Sequence, residues 1–448
     1  MSNAPLIGPY RPDGVLAWEQ GGPRTACQFL SDVARLAESL PDRPTVLNLA
    51  TSRYEFLVGF AAAILRRQVT LLPQSRAPQI LRRIAVDYPD SYGLTDRNDT
   101  IEGIESVSIQ PRGGQAPWPG EIPPVPLNQV VAIAFTSGST GQPMPNKKTW
   151  GALTAVAYAT GARLGIKSGE RAAVVATVPH QHMFGLEASV MLPVMHGLAM
   201  HAGRPLFPED IRHALANVTG ERLLVTTPLH IRACLTEAVR LPPLRLILSA
   251  TAPLSRALAQ SAEQQFHTSV HEIFGFAEAG SVAERRTVAT DHWQPLEGVT
   301  LAQAGPRWTV RASYLPAPVA FPDQITVQDS GTFTVQGRAA DQVNIAGHRV
   351  SLGDLNQKLL EIEGVQDGVF FFPDEGEEVV TRLMAFVVAP GKTEAHIQQA
   401  LRITLDPVFL PRPLVLVPRL PRNETGKLPR EALSKLASQW LTEHRHGA

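Results

Sequence analysis

Residues 134–143 have the sequence Ala-Phe-Thr-Ser-Gly-Ser-Thr-Gly-Gln-Pro, in which an apolar run leads into a loop rich in glycine and hydroxyl groups. The apolar run 130–135 is typical of a buried strand. Glycine lets the backbone turn sharply and approach a ligand closely. Because hydroxyls and unpaired backbone N–H groups are donors for phosphate oxygens, we predict a phosphate-binding loop here. We expect this loop to lead into a helix that begins near Lys148.

Two better-known loop motifs do not fit this spacing. A P-loop requires a second glycine five positions after the first, and five positions after Gly138 the chain has Pro143. A nucleophile elbow requires glycine two positions before its serine, and the residue two positions before Ser139 is Ser137. An ordinary surface turn, for which serine and glycine are usual residues, remains the alternative.

Composition excludes several classes of protein. The chain has 448 residues, is 44% hydrophobic, and carries 41 basic and 41 acidic side chains, so its formal net charge is zero. A neutral chain of this kind is not expected to bind nucleic acid. The two cysteines, Cys27 and Cys234, cannot form a disulfide framework, which favours a reducing compartment. No signal peptide is apparent, and the longest apolar run, 56–65, is too short for a membrane span. We predict a soluble, cytoplasmic protein.

Strand-like apolar runs alternate with helical patterns over the first three hundred residues. This alternation predicts an α/β fold with helix-covered, largely parallel sheets. Residues 299–336 have short strand-like runs separated by proline and glycine, which predicts a small β-rich subdomain. The predicted strands are 45–50, 130–135, 172–178, 222–227 and 245–250, and one predicted helix is 151–164.

Four further segments follow the glycine-rich loop in a fixed order. They are PHQHMFG at 179–185, FGFAE at 274–278, GRAAD at 337–341 and LPRNETGK at 420–427. Together with the loop, this set resembles the adenylate-forming superfamily of acyl-CoA synthetases, peptide-synthetase adenylation domains and luciferases. The patterns of that family are TSGSTGxP, PxxHxxG, YGxTE, GRxDDxIK and LPxxxxGK. Five segments in the correct order are much more specific than any one of them.

The resemblance implies both an architecture and a reaction. It implies an N-terminal domain, residues 1–338, that binds ATP and an acid, and a small mobile α+β C-terminal domain, residues 339–448, that carries a catalytic lysine. It also implies that ATP activates a carboxylic acid as acyl-AMP with release of pyrophosphate. The acyl group then passes to a phosphopantetheine thiol, either of an acyl carrier protein or of CoA.

A narrower resemblance concerns the substrate. The compactness of the chain is similar to that of the stand-alone aryl-acid or acyl ligases in aryl-polyene (xanthomonadin-type) pigment pathways. This implies an aromatic acid, for example one like hydroxybenzoate. A non-catalytic relative that binds nucleotide or acyl-adenylate as a sensor or interaction module is the alternative.

The first half-reaction requires positive charge and oriented donors. A carboxylic acid is already ionised at neutral pH, so the difficulty is the approach of an anion to a polyanion. The resemblance implies that Lys427 bridges the carboxylate and the α-phosphate, and that Glu278 and Thr140 bind Mg²⁺. His182 joins Lys427 and Glu278 in the implied catalytic set. A solvated lysine and a helix-start glutamate are the alternatives for Lys427 and Glu278.

The resemblance also assigns the residues that bind the two substrates. Phe274 is expected to stack on adenine and Asp323 to accept hydrogen bonds from ribose, although Phe274 could be a core residue and Asp323 a turn residue. The implied nucleotide-binding residues are Thr136, Ser137, Gly138, Ser139, Thr140, Gly141, Thr251, Ala252, Pro253, Glu272, Phe274, Gly275, Ala277, Asp323 and Arg338. The implied acid-binding residues are His182, Phe184, Gly275, Ser281 and Val282, with a core position as the alternative for Phe184.

Several positions depart from the family patterns. Ala277 replaces a threonine, which removes a hydroxyl expected to contact the α-phosphate. Met144 replaces a lysine, although Lys147 and Lys148 follow closely and can supply the charge. Ala340 replaces the first aspartate of GRxDD, which makes the predicted rotation of the C-terminal domain less certain. Ala277 and Met144 favour the non-catalytic alternative, whereas the retention of Glu278, Asp323, Arg338 and Lys427 argues against it.

Overall fold

The computed structural model has the mixed α/β fold expected from the sequence, with two large sheets in its N-terminal part. It describes residues 2–73, 75–97, 103–110, 121–137, 143–305, 307–338, 342–345, 348–372, 383–423 and 426–444. The first sheet has six strands, and all its neighbouring strands are parallel except the outer pair β10–β9. In spatial order they are β10 Pro143–Thr149, β9 Val130–Ser137, β5 Val69–Leu72, β4 Thr45–Asn48, β6 Ser91–Thr95 and β7 Ser106–Ser108.

The second sheet has nine strands and forms the larger part of the core. Its central strands are parallel and its edges are antiparallel. In spatial order they are β17 Gln294–Pro295, β16 Gly280–Arg286, β15 Ser269–Phe276, β14 Leu246–Ser249, β13 Glu221–Thr226, β11 Ala172–Ala176, β12 Ala199–His201, β2 Val15–Glu19 and β3 Gly22–Thr25. A separate antiparallel pair consists of β1 Asn3–Pro5 and β8 Pro124–Pro126.

The helices of this part connect the parallel strands, as such sheets require. None of the described helices is long and apolar enough to cross a membrane. The helices are α1 Ala26–Ser39, α2 Arg53–Leu65, α3 Pro78–Asp87, α4 Trp150–Arg163, α5 Met183–Leu186, α6 Leu192–His196, α7 Pro208–Ala216, α8 Pro228–Thr236 and α9 Arg256–Phe266. A π-helical turn, Glu187–Met191, joins α5 to α6.

The predicted elements are largely confirmed, with one correction. All five predicted strands are present as β4, β9, β11, β13 and β14, and the predicted helix 151–164 is α4. A helix does begin near Lys148, but strand β10, which was not predicted, lies between the loop and this helix and pairs antiparallel with β9. The helix begins at Trp150 after Thr149, whose hydroxyl accepts a hydrogen bond from the Ala152 backbone N–H at 3.1 Å.

The predicted β-rich subdomain consists of two small antiparallel sheets. They are β18 Val299–Ala304, β19 Arg307–Ala312 and β20 Val319–Ala320, and then β21 Asp323–Val327 with β22 Phe333–Arg338. Buried Phe321 and Phe333 pack with Trp293 and with half-buried Phe274 of β15. The small sheets are therefore joined to the second large sheet by an aromatic core.

The C-terminal residues form an α+β unit with hydrophobic cores of their own. Its strands are β23 Gln342–Ile345, β24 His348–Ser351, β25 Asp367–Phe371, β26 Met384–Val388 and β27 Leu414–Leu416, and its helices are α10 Leu352–Leu360, α11 Glu394–Thr404 and α12 Arg430–His444, with a 3₁₀ turn at Pro407–Phe409. One core contains Phe370 and Ile397, and the other contains Phe371 and Phe386. The predicted domain boundary between 338 and 339 adjoins residues 339–341, which lie outside the described residues, so it stays a prediction.

Asp96, just after β6, holds the turn that begins α2. Its Oδ2 accepts hydrogen bonds from the backbone N–H and the hydroxyl of Thr51, both at 2.6 Å, and from the Ser52 N–H at 2.8 Å. Burial raises the pKa of Asp96, but these bonds and one from Glu55 outweigh it and leave the pKa lowered. Burial, together with the hydrogen bond to Asp96, raises the pKa of Glu55 to about 8. Near neutral pH the Glu55 carboxyl group therefore keeps its proton, whereas Asp96 is ionised.

We expect the Glu55–Asp96 contact to make stability depend on pH. A raised folded-state pKa means that the folded protein retains a proton which the unfolded chain releases above pH ~4.3. The stabilisation by Glu55 is therefore complete below this pH and is lost as the pH rises through about 8. The free energy of unfolding in urea should fall over this range in the natural protein, and Glu55→Gln should flatten the fall. The exposed Glu38→Gln should not, and an unchanged slope in Glu55→Gln would contradict the assignment.

Candidate active site

Several of the predicted motif segments follow strands of the second sheet. Parallel strands present their carboxyl ends at the same edge, where ligands bind in open α/β sheets. β11 is followed by residues 179–185, β13 by Thr227, β14 by Thr251 and β15 by Glu278. Segments that are far apart in the chain therefore lie side by side at this edge.

The glycine-rich loop connects β9 to β10. Thr136 and Ser137 end β9, and Ser137 pairs with Pro143 of β10. The predicted ligands Gly138, Ser139, Thr140 and Gly141 lie outside the described residues. The phosphate-binding loop therefore stays a prediction, placed at the end of a hairpin.

Thr251 lies just beyond β14 with an unusual backbone conformation. Its φ is 78°, a left-handed value that is rare for a β-branched residue. Strain of this kind occurs mainly at sites that bind or react. Thr251 and Ala252 are half-buried and Pro253 is exposed, so the turn offers its backbone on the accessible edge of the sheet.

The side chain of Glu272, in β15, is hydrogen-bonded to the turn that contains Thr251. Its Oε1 accepts a hydrogen bond from the Leu254 N–H at 3.0 Å, and its Oε2 accepts from Thr287 Oγ1 at 3.0 Å and Arg285 Nε at 2.8 Å. Burial raises the pKa of Glu272, while Arg285 and the other donors lower it. Both oxygens are thus engaged within the protein. A direct contact of Glu272 with nucleotide would have to displace one of these bonds.

Phe274 and Gly275 form the end of β15 that faces the edge. The half-buried Phe274 ring lies 5.4 Å from Trp293 and 5.9 Å from Phe321, measured between ring centroids. Phe274 therefore belongs in part to the hydrophobic core, which was the alternative considered for it. Stacking of adenine on the exposed part of its ring stays a prediction. Gly275 is required by packing, because a Cβ there would lie 2.6 Å from the Gly280 carbonyl oxygen.

The turn containing Ala277 and Glu278 rests on a buried lysine. Lys148 is 4% exposed, and its ammonium donates to the Glu278 backbone carbonyl at 3.1 Å. Burial lowers the pKa of Lys148, while Glu187 and Glu278 raise it. Met144, which stands where the family has lysine, is 56% exposed. Lys148, in β10, thus places a positive charge next to this turn.

Glu278 has the chemistry of a magnesium ligand. Its side chain is exposed, and a carboxylate is the hard oxygen donor that Mg²⁺ prefers beside phosphates. The second implied ligand, Thr140, lies outside the described residues. The carboxylate of Glu278 is therefore a suitable ligand for Mg²⁺.

The segment after β11 brings the predicted acid-binding residues into the helical segment that starts at α5. His182 precedes α5 and is half-buried, as is Phe184, which packs against the core of the second sheet. Its neighbour His180 is buried, and its Nε2 donates to the Ala50 carbonyl at 3.0 Å. Gly185 is needed because a Cβ would lie 1.8 Å from the Pro179 carbonyl oxygen.

Ser281 and Val282 lie opposite, at the start of β16. Ser281 is buried and donates to Glu187 Oε2 from its hydroxyl at 2.6 Å and from its N–H at 3.0 Å. The side chain of Val282 is buried in the aromatic core of the β-rich part, which limits its contact with an acid. The motifs did not reveal Glu187. A glutamate three positions after Phe184, within an apolar helical segment, was the available signal.

Asp323 and Arg338 are direct cross-strand partners. Asp323 begins β21, Arg338 ends β22, and the two residues face each other in the register of the hairpin. Two residues assigned to ribose and phosphate from separate motifs are thus brought together.

Lys427 lies in a tight turn that approaches the edge of the second sheet. Asn423 bonds to both backbone groups of Lys427, and Arg422 donates to the Gly426 carbonyl at 2.6 Å while pairing with Asp367. A Cβ placed on Gly426 would lie 3.9 Å from Thr227 Oγ1 and 4.0 Å from Thr251 Oγ1. Gly426, which precedes the exposed Lys427, therefore lies near the strained turn at Thr251.

Comparison with known proteins identifies the family. A family model described as AMP-binding enzyme matches residues 49–310, which is more than half of the chain. The chain belongs to the AMP-binding enzymes. This confirms the family predicted from the motifs, whereas the aryl-polyene subtype stays a prediction.

Two curated relatives of this AMP-binding enzyme are CoA ligases by name. The chain is 30% identical over 310 residues to a 4-coumarate–CoA ligase of Halorhodospira halophila, covering 65% of this chain and 73% of the relative. It is 28% identical over 334 residues to a probable 2-succinylbenzoate–CoA ligase of Mycobacterium tuberculosis, covering 68% and 84%.

Solved structures share the fold over nearly the whole chain. ATP-bound MatB from Rhodopseudomonas palustris is similar with a TM-score of 0.81 at 17% identity, covering 98% of this chain and 100% of that one. The o-succinylbenzoate CoA synthetase MenE from Bacillus subtilis, in complex with its acyl-adenylate intermediate, has a TM-score of 0.81 at 17% identity, covering 97% and 98%. At such identities the likeness concerns the fold alone.

Proposed function

We propose that this AMP-binding enzyme activates an aromatic carboxylic acid with ATP and passes it to a thiol. A carboxylate oxygen attacks the α-phosphorus, the bond to pyrophosphate breaks, and acyl-AMP forms. A thiol sulfur then attacks the acyl carbon, AMP leaves, and the thiol proton is released. The observation that carries this proposal is the position of Gly426, the neighbour of Lys427 in the chain, where an added Cβ would lie 4.0 Å from Thr251 Oγ1.

The roles of the individual residues are proposed from the family resemblance. Lys427 is proposed to neutralise charge between the carboxylate and the α-phosphate, where a preorganised cation acts most strongly. Phe274 and residues 251–253 hold adenine, Asp323 and Arg338 hold the ribose, and the loop 136–141 holds the phosphates. Glu278, with Thr140, would hold Mg²⁺, which screens phosphate charge when bound.

The names of the relatives are the basis for proposing which thiol accepts the acyl group. The pathway is proposed from the narrower resemblance. The names of the curated relatives contain CoA, which supports a phosphopantetheine thiol as acceptor. CoA and an acyl carrier protein both carry this thiol, and we propose one of the two as partner. An aryl-polyene pathway would supply an aromatic acid of this kind. A sensor that binds nucleotide without catalysis is the second candidate, favoured by the alanine at 277.

Pyrophosphate exchange tests the proposed function. Labelled pyrophosphate should enter ATP only when a suitable acid is present, in a panel of benzoic, cinnamic and aliphatic acids. Incubation with CoA or a phosphopantetheinylated carrier protein, followed by mass spectrometry, should identify the acceptor. Absence of exchange with every acid, while calorimetry still shows nucleotide binding, would establish the sensor instead.

A further inference from the structure

Helix α8 approaches the C-terminal unit at two points along its length. Thr227 directly precedes the helix, and its Oγ1 lies 3.9 Å from the position that a Cβ on Gly426 would take. Arg232 lies five residues further along, and its Nη1 donates a hydrogen bond to the Val365 carbonyl at 3.2 Å. At a rise of about 1.5 Å per residue, the two points are about 7.5 Å apart along the helix axis. The first turns of α8 therefore lie against the C-terminal unit.

The acceptor of the Arg232 hydrogen bond is a well-packed part of the C-terminal unit. Val365 is 4% exposed, and its side chain belongs to the hydrophobic core that the residues of α10 and α11 form. The next residue, Gln366, donates its backbone N–H to the Val388 carbonyl of β26 at 2.8 Å. Because both the backbone and the side chains are held here, a bond to the Val365 carbonyl fixes the C-terminal unit itself.

A chain of hydrogen bonds connects this anchored segment with the turn that carries Lys427. Asp367 follows Val365 by two residues and accepts hydrogen bonds from Arg422 Nε at 2.7 Å and Nη2 at 2.6 Å. The same guanidinium donates from Nη1 to the carbonyl of Gly426 at 2.6 Å, and Gly426 directly precedes Lys427. The Val365 carbonyl and the lysine turn therefore belong to one hydrogen-bonded framework.

The charges around Arg232 come from the same framework. The side chain is half-buried, and burial lowers the pKa of Arg232, while Asp367 raises it and Arg422 lowers it. The Asp367 carboxylate, whose side chain is 14% exposed, thus attracts Arg232 as well as pairing with Arg422. A neutral side chain at 232 would lose both the hydrogen bond to Val365 and this attraction.

We infer that Arg232 is a positioning residue for adenylation, which holds the C-terminal unit where the Lys427 turn reaches the edge of the second sheet. This inference rests on the proposed function, in which Lys427 acts between the carboxylate and the α-phosphate. A contact that is made in one arrangement of the chain raises the population of that arrangement. Loss of the contact should therefore slow acyl-adenylate formation, whereas transfer from acyl-AMP to a thiol should depend on it much less.

Separate measurement of the two half-reactions in the full chain tests the inference. Arg232→Met retains an apolar stem but removes the donors, and it should slow pyrophosphate exchange about tenfold, as expected for one hydrogen bond from a charged donor. Transfer from chemically prepared acyl-AMP to CoA or to a phosphopantetheinylated carrier protein should stay near the natural rate. Arg232→Lys retains the charge and a donor, and it should restore part of the exchange rate.

Arg240→Met is the matched control. Arg240 follows α8 and is exposed, so both half-reactions of this variant should proceed at the natural rate. Equal slowing of the two half-reactions by Arg232→Met would show a merely structural role. That result, or an unchanged exchange rate, would overturn the inference and leave the proposed function intact. Absence of exchange by the natural protein with every acid would overturn both.

A second variant tests the connection from Arg232 to the lysine turn. Asp367→Asn removes the charge that pairs with Arg422, and it should also slow pyrophosphate exchange more than thiol transfer. Residues of one network do not act independently, so Arg232→Met combined with Asp367→Asn should slow exchange by less than the product of the two single effects. Single effects that simply multiply would show that Arg232 does not act through this network, and would overturn the inference.

Discussion

Replacing Lys427 by alanine is expected to slow acyl-adenylate formation by about 10²- to 10³-fold while ATP affinity stays nearly unchanged. The reason is that the ammonium acts on charge that develops as the carboxylate approaches the α-phosphate. We propose that binding of ATP alone depends on the loop 136–141, Asp323 and Arg338, which the substitution leaves in place. Exchange of labelled pyrophosphate measures the rate, and calorimetry with ATP measures the affinity.

Two controls make this result specific. Lys435 is also a lysine of the C-terminal unit, and it is exposed on α12, so Lys435→Ala should exchange pyrophosphate at the normal rate. Thiol transfer from chemically prepared acyl-AMP should be affected much less by Lys427→Ala than adenylation is. Exchange by Lys427→Ala at a rate comparable with that of the natural protein would refute the proposed role.

Replacing Glu272 by alanine is expected to lower the free energy of unfolding by about 3–5 kcal/mol. The change leaves the Arg285 guanidinium, the Thr287 hydroxyl and the Leu254 N–H without their acceptor in a buried position. Breaking one side of a buried ion pair costs more than the pair itself contributes, because the remaining charge stays desolvated. Urea unfolding followed by circular dichroism measures the loss.

A surface pair provides the comparison for Glu272. Glu209 and Arg212 form an exposed pair one helical turn apart on α7, so Glu209→Ala should change stability by no more than about 1 kcal/mol. Replacing both Glu272 and Arg285 by apolar residues of similar size should restore much of the loss. A Glu272→Ala variant as stable as Glu209→Ala would show that the buried pair does not hold the Thr251 turn.

The sequence was sufficient to predict the strands and the order of the motifs. Parallel strands buried on both faces are continuous apolar runs, so β4, β9, β11, β13 and β14 were visible as local patterns. These features depend on neighbours in the chain or on motif spacing.

The buried polar contacts could not be predicted in the same way. Ser281 and Glu187 are 94 residues apart, and Lys148 and the Glu278 carbonyl are 130 apart. A single glutamate or lysine in the sequence is most often a surface residue, so nothing local indicated their burial. Strand β10, which contains Lys148, was also not predicted, because the loop sequence does not reveal its pairing with β9.

The approach of Gly426 to the sheet edge has a consequence for which residues can replace it. Its φ is 78°, yet a methyl group there would meet the two threonine hydroxyls only at ordinary van der Waals distance. Among the described residues, a Cβ at 426 is therefore restricted by backbone handedness and not by these contacts. Asparagine, which tolerates this handedness, should serve at this position better than the smaller alanine.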